Sequence, residues 1–270
     1  MDTPARTPYP SDVTDDEWAF VSAYLVLMDE AAPQRTHDLR AVFNGVRWIV
    51  RTGAPWRMLP HDLPPWAAVY QQTQRWIRAG VCETMVYDLR VLLRVAAGRA
   101  RQHSAAIFDA RTVQSTPESG ARGGSDGHKR RKGSTTHLAV DTLGLLLAVH
   151  VTAANEQERA QVATLAEAVQ EVTGQQSRWP LSTKGTQVRT PKRTPPHMAS
   201  DWRWSRCPRR SGALCCYPGA GSSSGVSPGW RNSDASRDYE RLPDTVAALH
   251  FVAFASLMLH RVIPLLTRSA

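Results

Sequence analysis

A chain of 270 residues with 42% hydrophobic content is long enough for one large globular domain or two small ones, and too apolar to be disordered throughout. Four cysteines exclude a disulfide scaffold and point to a reducing cytoplasm, and the polar, acidic start MDTPARTPYPSDVTDDEW does not read as a secretory signal. The net charge of +9 invites a nucleic-acid reading, but residues 177–236 hold ten Lys/Arg against two acids, which leaves the rest near neutral and makes global charge weak evidence for DNA binding.

Residues 1–100 are expected to be helical. Thr14 and Glu17 form a capping box, with Asp15 and Asp16 in the first turn of a helix whose apolar positions are Trp18, Val21, Leu25 and Met28. A second helix carries Leu39, Val42, Phe43, Val46, Ile49 and Val50 on one side and stops at Gly53. The proline-rich stretch GAPWRMLPHDLPP is a loop. A third helix runs from near Trp66 through Val69, Arg75, Trp76 and Ile77 to Gly80. A fourth runs from Cys82 to about Gly98, with Met85, Leu89, Leu92 and Leu93 inward. The short connection between the third and fourth helices allows a helix-turn-helix; an ordinary helical bundle fits the spacing as well.

From residue 104 the period changes. Ala105 to Asp109 is a short apolar run ending in a carboxylate, followed by a Gly/Ser/basic loop from Ser115 to Ser134. THLAVDT and LLLAVHV read as two strands around a turn at Leu143-Gly144, and Asn155 with Glu158 reads as the cap of a helix bearing Val162, Leu165, Ala166 and Val169. Residues 177–236 hold seven of the 18 prolines, four of the nine tryptophans and three of the four cysteines, with no Ile or Phe. No period survives there, and the composition is that of a disordered segment. Pattern returns after Arg237 with RDYERLPDTVAALHFVAFASLMLHRVI, read as a buried helix capped at Asp244 rather than a membrane span. The fold class expected is α+β or α/β, in four parts: a helical domain over 1–100, the first part of a catalytic domain over 101–176, the aperiodic segment 177–236, and a C-terminal helix over 237–270.

Three stretches carry a family resemblance. YPSDVTDDEWAFV with RTHDLRAVFNGVRWIVRTGAPWRMLPHDLPPWAAVYQQTQRW resembles the helical N-terminal region of bacterial insertion-sequence transposases. IFDARTVQSTPESGARGGSDGHKRRKGSTTHLAVDTLGLLLAVHVTAANEQER resembles the start of their RNase H-like catalytic domain, and the RDYERLPDTV ending resembles their last helix. The resemblance implies DNA transposition by metal-dependent strand cleavage and transfer, using two Asp and one Glu. It also implies Mg2+ or Mn2+ as cofactor, the double-stranded terminal repeats of a DNA element as partner, self-association into a homo-oligomer, no membrane, and a cytoplasmic, nucleoid-associated location. Hard cations need carboxylate oxygens, and two metals about 4 Å apart serve an in-line phosphoryl displacement.

Asp109, in IFDA, matches the first Asp of that triad and would be its metal ligand; Asp141, in AVDT, matches a position outside the triad. The second Asp is expected in a segment similar to VAFVDQGYTG, where this chain reads SRWPLSTKGTQV. Codons exist for the observed residues that, regrouped by one nucleotide, read VEVAFVDQGYTG, with the Asp codon straddling Ser182 and Thr183. The same regrouping turns SSSGVSPGW into VVERSFAW, similar to the segment around the third carboxylate, with the Glu codon straddling Ser223 and Ser224. Frame would return near Arg237. This chain would then carry one of three catalytic carboxylates.

Arg111, two residues past Asp109, and the basic run His128, Lys129, Arg130, Arg131 and Lys132 are expected to touch phosphate; solvated basic residues are the alternative. Arg75 and Arg78, with Arg90 and Arg94, could face a major groove if the third and fourth helices form a helix-turn-helix, or be exposed arginines on a bundle. Cys207, Cys215, Cys216 and His197 lack the paired spacing of a zinc site, and Cys82 reads as a small core residue. Two functions compete: a transposase inactive in this copy, and a non-enzymatic DNA-binding remnant that occupies element ends.

Overall fold

In a computed structural model, residues 6–27, 36–117, 119, 123–127, 130–157, 160–172, 182–183 and 237–267 are described. Met28, and all of 177–236 apart from Ser182 and Thr183, lie outside the described residues.

Four helices come first: α1 (Asp15–Leu25), α2 (Leu39–Thr52), α3 (Trp66–Arg78) and α4 (Val81–Ala96), with a 3-10 turn at Trp56–Met58. Each boundary has a local cause. The Thr14 hydroxyl accepts from Glu17 N–H at 3.1 Å while the Glu17 carboxylate accepts from Thr14 N–H at 3.1 Å, which is the expected capping box. Asp38 caps α2 through Ala41 N–H, and Gly53 ends it in the left-handed region at φ 66°. Ala79 and Gly80, the latter at φ 64°, are the whole connection from α3 to α4.

The expected apolar faces form, with exceptions on α4. Met85, Leu89 and Leu93 are buried, but Leu92 is 37% exposed, and Val86, Arg90 and Arg94 take the inward positions. Apolar periodicity could not find the two arginines, because each is buried by a specific partner rather than by its hydrophobicity. Cys82 is a core residue, its thiol pushed up to about 12 by burial and, secondarily, by Glu83.

The chain then builds a mixed sheet from β1 (Ala106–Ser115), β2 (Gly124–Asp126), β3 (Arg131–Asp141), β4 (Leu146–Ala153), β5 (Ser182–Thr183) and β6 (Arg237–Asp238). β3 is antiparallel to β1 and to β4, with β2 continuing the β4 edge. On its other edge β1 pairs in parallel with β5 and then β6. The apolar run around Phe108 is thus the start of a ten-residue strand. The expected loop 115–134 also holds β2 and the first residues of β3. Gly133 allows this, since a Cβ there would lie 2.0 Å from the Val113 carbonyl oxygen.

The helix after the hairpin, α5 (Gln161–Val172), starts later than expected. Asn155 and Glu156 sit in a turn closed by Glu156 N–H on Ala153 O at 3.0 Å, so Asn155 is not its cap. The last helix, α6 (Pro243–Thr267), opens on Pro243, with Asp244 inside its first turn rather than at the cap. The whole is a helical set followed by an α+β layer, as the resemblance implies, with the strand order of an RNase H-like sheet.

Two apolar clusters flank the sheet. The face carrying Ile107, Leu138, Val140 and Leu146 packs with α6 and the helices α1–α4. The face carrying Ala106, Phe108, Ala139 and Ala148 packs against Leu165 and Val169 of α5. Helix α6 is apolar on nearly every side because it is covered on nearly every side: Phe251, Val252, Phe254, Ala255, Met258, Leu259 and Val262 are all buried, and the helix lies against α4, α2 and β4. It is also long and apolar enough to cross a membrane by length and composition. Trp76, 2% exposed, meets Phe43 edge-on at 6.1 Å and donates its Nε1–H to Leu25 O at 2.9 Å. Burial of such a side chain is worth roughly 1.5–3 kcal/mol.

His103, 4% exposed in the connection between α4 and β1, has its pKa lowered to about 4 by burial, with Arg90 and Arg94 adding to the effect and Asp141 opposing it. The unfolded chain takes up this proton near pH 6.5, before the folded chain does. Stability conferred by the neutral ring is therefore complete above pH 6.5 and is lost as pH falls toward 4, by about 3 kcal/mol at most. Urea midpoints measured from pH 7.5 to 4.5 are expected to fall less steeply for His103→Gln than for the parent chain. Parallel curves would contradict this.

Candidate functional site

Asp109 sits in mid-strand on β1, half-buried, its Oδ1 accepting the Ala110 N–H at 3.0 Å. Alternation along the strand puts Ile107 and Arg111 on the same face, and register puts Leu138 of β3 directly across. None of these three is a carboxylate. Arg111 is also half-buried, two positions along from Asp109.

Asp141 is the other aspartate close to this part of the sheet, and it faces the wrong way. It stands opposite Ala106, so it shares the face of Phe108 and not that of Asp109. It is wholly buried, and Arg94 Nη1 donates to its Oδ2 at 2.6 Å. Its Oδ1 accepts from Leu143 N–H at 2.8 Å and Leu145 N–H at 2.9 Å. These three hydrogen bonds commit its carboxylate to tying α4 to the β3–β4 turn. Arg90, 2% exposed, does the same one turn earlier, donating to Leu146 O at 3.0 Å. Burial, partly offset by Asp141, lowers its pKa to about 10, so it stays charged at neutral pH. Arg90 and Arg94 are therefore structural, and the expectation that they line a DNA-facing surface is corrected. Their carbonyl and carboxylate partners come from strands far along the chain, which helical spacing does not reveal.

The parallel neighbour of β1 at this level is β5: Ser182 pairs with Ile107 and Thr183 with Phe108. The two residues over which an Asp codon would straddle thus lie beside the strand that carries Asp109, one position short of it. Neither residue is a carboxylate. Among the described residues no three His, Cys, Asp or Glu side chains gather where an ion could be held. The donor set among the described residues does not fit a two-metal centre, which needs several carboxylate oxygens around the pair of ions.

Of the basic run, Arg130 lies in the turn before β3 and Lys132 in β3 itself. Arg130 and Lys132 are exposed, and Arg130 adopts φ 49° at the turn. His128 and Lys129 lie outside the described residues, and for Arg131 only the backbone, in β3, is described. Lys132 is six residues up β3 from Leu138, so this turn lies about 20 Å along the sheet from Asp109. The structure does not bring Arg130 or Lys132 to the carboxylate.

Arg75 and Arg78 are both exposed, on the last turn of α3, where cations also suit the helix dipole. They share their stripe with Gln71. A charge-based reading passes over Gln71; its spacing of four and seven residues from the arginines was the available signal.

Comparison with known proteins divides the chain at the same places. Residues 13–86 match the IS4/5-family transposases (DUF4096), and residues 100–182 match the transposase DDE domain. The second match begins before β1 and ends at Ser182. The uncharacterized protein y4sN of Sinorhizobium fredii (strain NBRC 101917 / NGR234) is 30% identical over 98 residues, 34% of this chain and 78% of that protein. No solved structure matches the chain. Members of the DDE class act on DNA and generally use divalent metal ions. With helices matching one transposase segment and the sheet bearing Asp109 matching the other, the chain belongs to the insertion-sequence transposases of the DDE class.

Proposed function

We propose that this copy of the transposase binds DNA and does not cut it. The observation that carries the reading is the position of Asp109, with Ile107, Arg111 and Leu138 around it and Ser182–Thr183 paired in parallel with the two residues before it. A lone carboxylate cannot hold two ions, and uncharged hydroxyls are poor substitutes for carboxylates at a hard metal. The end of the DDE-domain match at residue 182 supports a change of reading frame close by, as do the two regrouped motifs. The aperiodic composition of 177–236 supports it as well.

The parts that touch DNA are spared. We assign phosphate contacts to Arg130, Lys132 and Arg111, together with His128, Lys129 and Arg131 of the same basic run. A contact to the nucleic acid is assigned to Arg75 and Arg78, within a DNA-binding domain taken as residues 1–100. Residues 101–176 and 237–270 are then an incomplete catalytic domain. Occupation of element ends, in competition with intact relatives, is what such a protein can still do; the exposed arginines on α3 favour that role.

Binding driven by phosphate contacts must be salt-dependent, because each neutralised phosphate releases counterions. In fluorescence titrations of the full chain with duplex DNA, the affinity is expected to fall linearly in log–log form with salt. Arg130→Ala with Lys132→Ala is expected to reduce that slope by roughly two, with sequence preference unchanged. An affinity indifferent to salt would defeat the proposal.

A further inference from the structure

We propose that α3 is the helix that enters the major groove of duplex DNA, with Gln71, Arg75 and Arg78 reading base edges. The inference rests on the DNA-binding reading above and adds to it which element reads, and by what chemistry.

Three observations converge on α3. Its faces are cleanly divided: Val69, Thr73 and Trp76 are buried, while Gln71, Arg75 and Arg78 are exposed. Positions 71, 75 and 78 lie within one narrow stripe, because four and seven residues are close to whole turns. Its sequence WAAVYQQTQRWIR holds two arginines and no acid. Glutamine and arginine are the side chains whose paired polar atoms match adenine N6/N7 and guanine O6/N7. The small Ala67 and Ala68 precede the stripe.

The other helices of this region do not offer the same. The first turn of α1 is acidic, with Asp15, Asp16 and Glu17. The α4 arginines at 90 and 94 are buried on Leu146 and Asp141. On α2, Arg47 is paired with Glu17 at 2.7 Å and Arg40 with Asp15 at 2.7 Å.

The back of α3 is also held firmly. Trp76 donates to Leu25 O, and Gln74 Nε2 donates to Thr245 Oγ1 of α6 at 2.9 Å. On the exposed side, Arg75 Nη1 donates to Gln72 Oε1 at 3.2 Å, which restricts the guanidinium before any base is met. Arg57, stacked over Trp66 at 5.2 Å, sets a further positive charge at the N-terminal end of the helix. A helix is about 10–12 Å wide with its side chains, matching a major groove about 12 Å wide. The stripe from 71 to 78 is about 10 Å long, the reach of roughly three base pairs.

The test uses the full chain, duplexes taken from the two ends of the DNA element that encodes it, and shuffled duplexes of the same composition. The parent chain is expected to prefer the end duplex. Gln71→Ala and Arg75→Lys are each expected to lower the preference about tenfold while binding of the shuffled duplex changes little, since Arg75→Lys keeps the charge and loses only the paired geometry. All three side chains are exposed, so unfolding midpoints should match the parent. Full preference in both variants would overturn the assignment of α3. So would equal binding of both duplexes by the parent chain, although DNA binding itself would stand. Binding of neither duplex at low salt would remove the DNA-binding reading and this inference together.

Discussion

Duplex DNA carrying the element's ends is expected to stay intact when the full chain is incubated with Mg2+ or Mn2+, and to be cut once the bases encoding residues 177–236 are returned to the neighbouring frame. The physical reason is the number of hard-metal ligands. The present chain brings Asp109 to the middle of β1 and sets Ser182 and Thr183 beside it. On the proposed reading, restoring the frame would replace the pair with an Asp on the adjacent parallel strand and would supply a Glu near residues 223 and 224. Stabilisation of the transition state by bound metal is worth several kcal/mol, on the order of a thousandfold in rate or more. Asp109→Ala in the restored protein should remove that gain. Metal-dependent nicking by the present chain, lost on Asp109→Ala, would show that other carboxylates complete the site and that the frame argument is wrong.

The second large effect is on stability. Arg94 and Asp141 are 4% and 0% exposed and meet at 2.6 Å. Removing one partner leaves the other charge buried and alone, which costs about 3–5 kcal/mol. Asp141→Asn and Arg94→Met are each expected to lower the urea midpoint sharply. Joining them as a double variant should lose clearly less than the sum, because no unpaired charge remains. Asp141 also accepts two backbone N–H groups from the β3–β4 turn, so the asparagine, which keeps one acceptor oxygen, should be milder than Asp141→Ala. Additive losses would mean the two side chains act independently. The pair also explains why α4 and the sheet are joined: one guanidinium connects a helix of the first segment to a hairpin of the second.

Much of the local structure was legible in the chain. The Thr14–Glu17 capping box, the left-handed Gly53 and Gly80 stops, the apolar stripe of α2 and the turn at Leu143-Gly144 are each written in a few neighbouring residues. They report short-range sterics and hydrogen bonds. The identity of Asp109 as a family carboxylate came from resemblance rather than from pattern, because a strand ending in Asp is common. Composition alone marked 177–236 as foreign to its surroundings.

Tertiary structure decided what those rules could not reach. Arg90, Arg94 and Asp141 read as surface charges or as a strand end, and became buried, bonded groups of the helix–sheet junction. Asn155 read as a cap, and became part of a turn six residues before α5 begins. Asp109 and Asp141 lie 32 positions apart in sequence, and only the antiparallel register puts them on opposite faces. The sequence by itself determined the capped helices, the hairpin and the family; which charges are buried, which face water and which carboxylates can meet was settled by strand register and helix packing. The reason is range: a cap is satisfied within one turn of backbone, whereas a buried ion pair exists only after distant segments have excluded water from it.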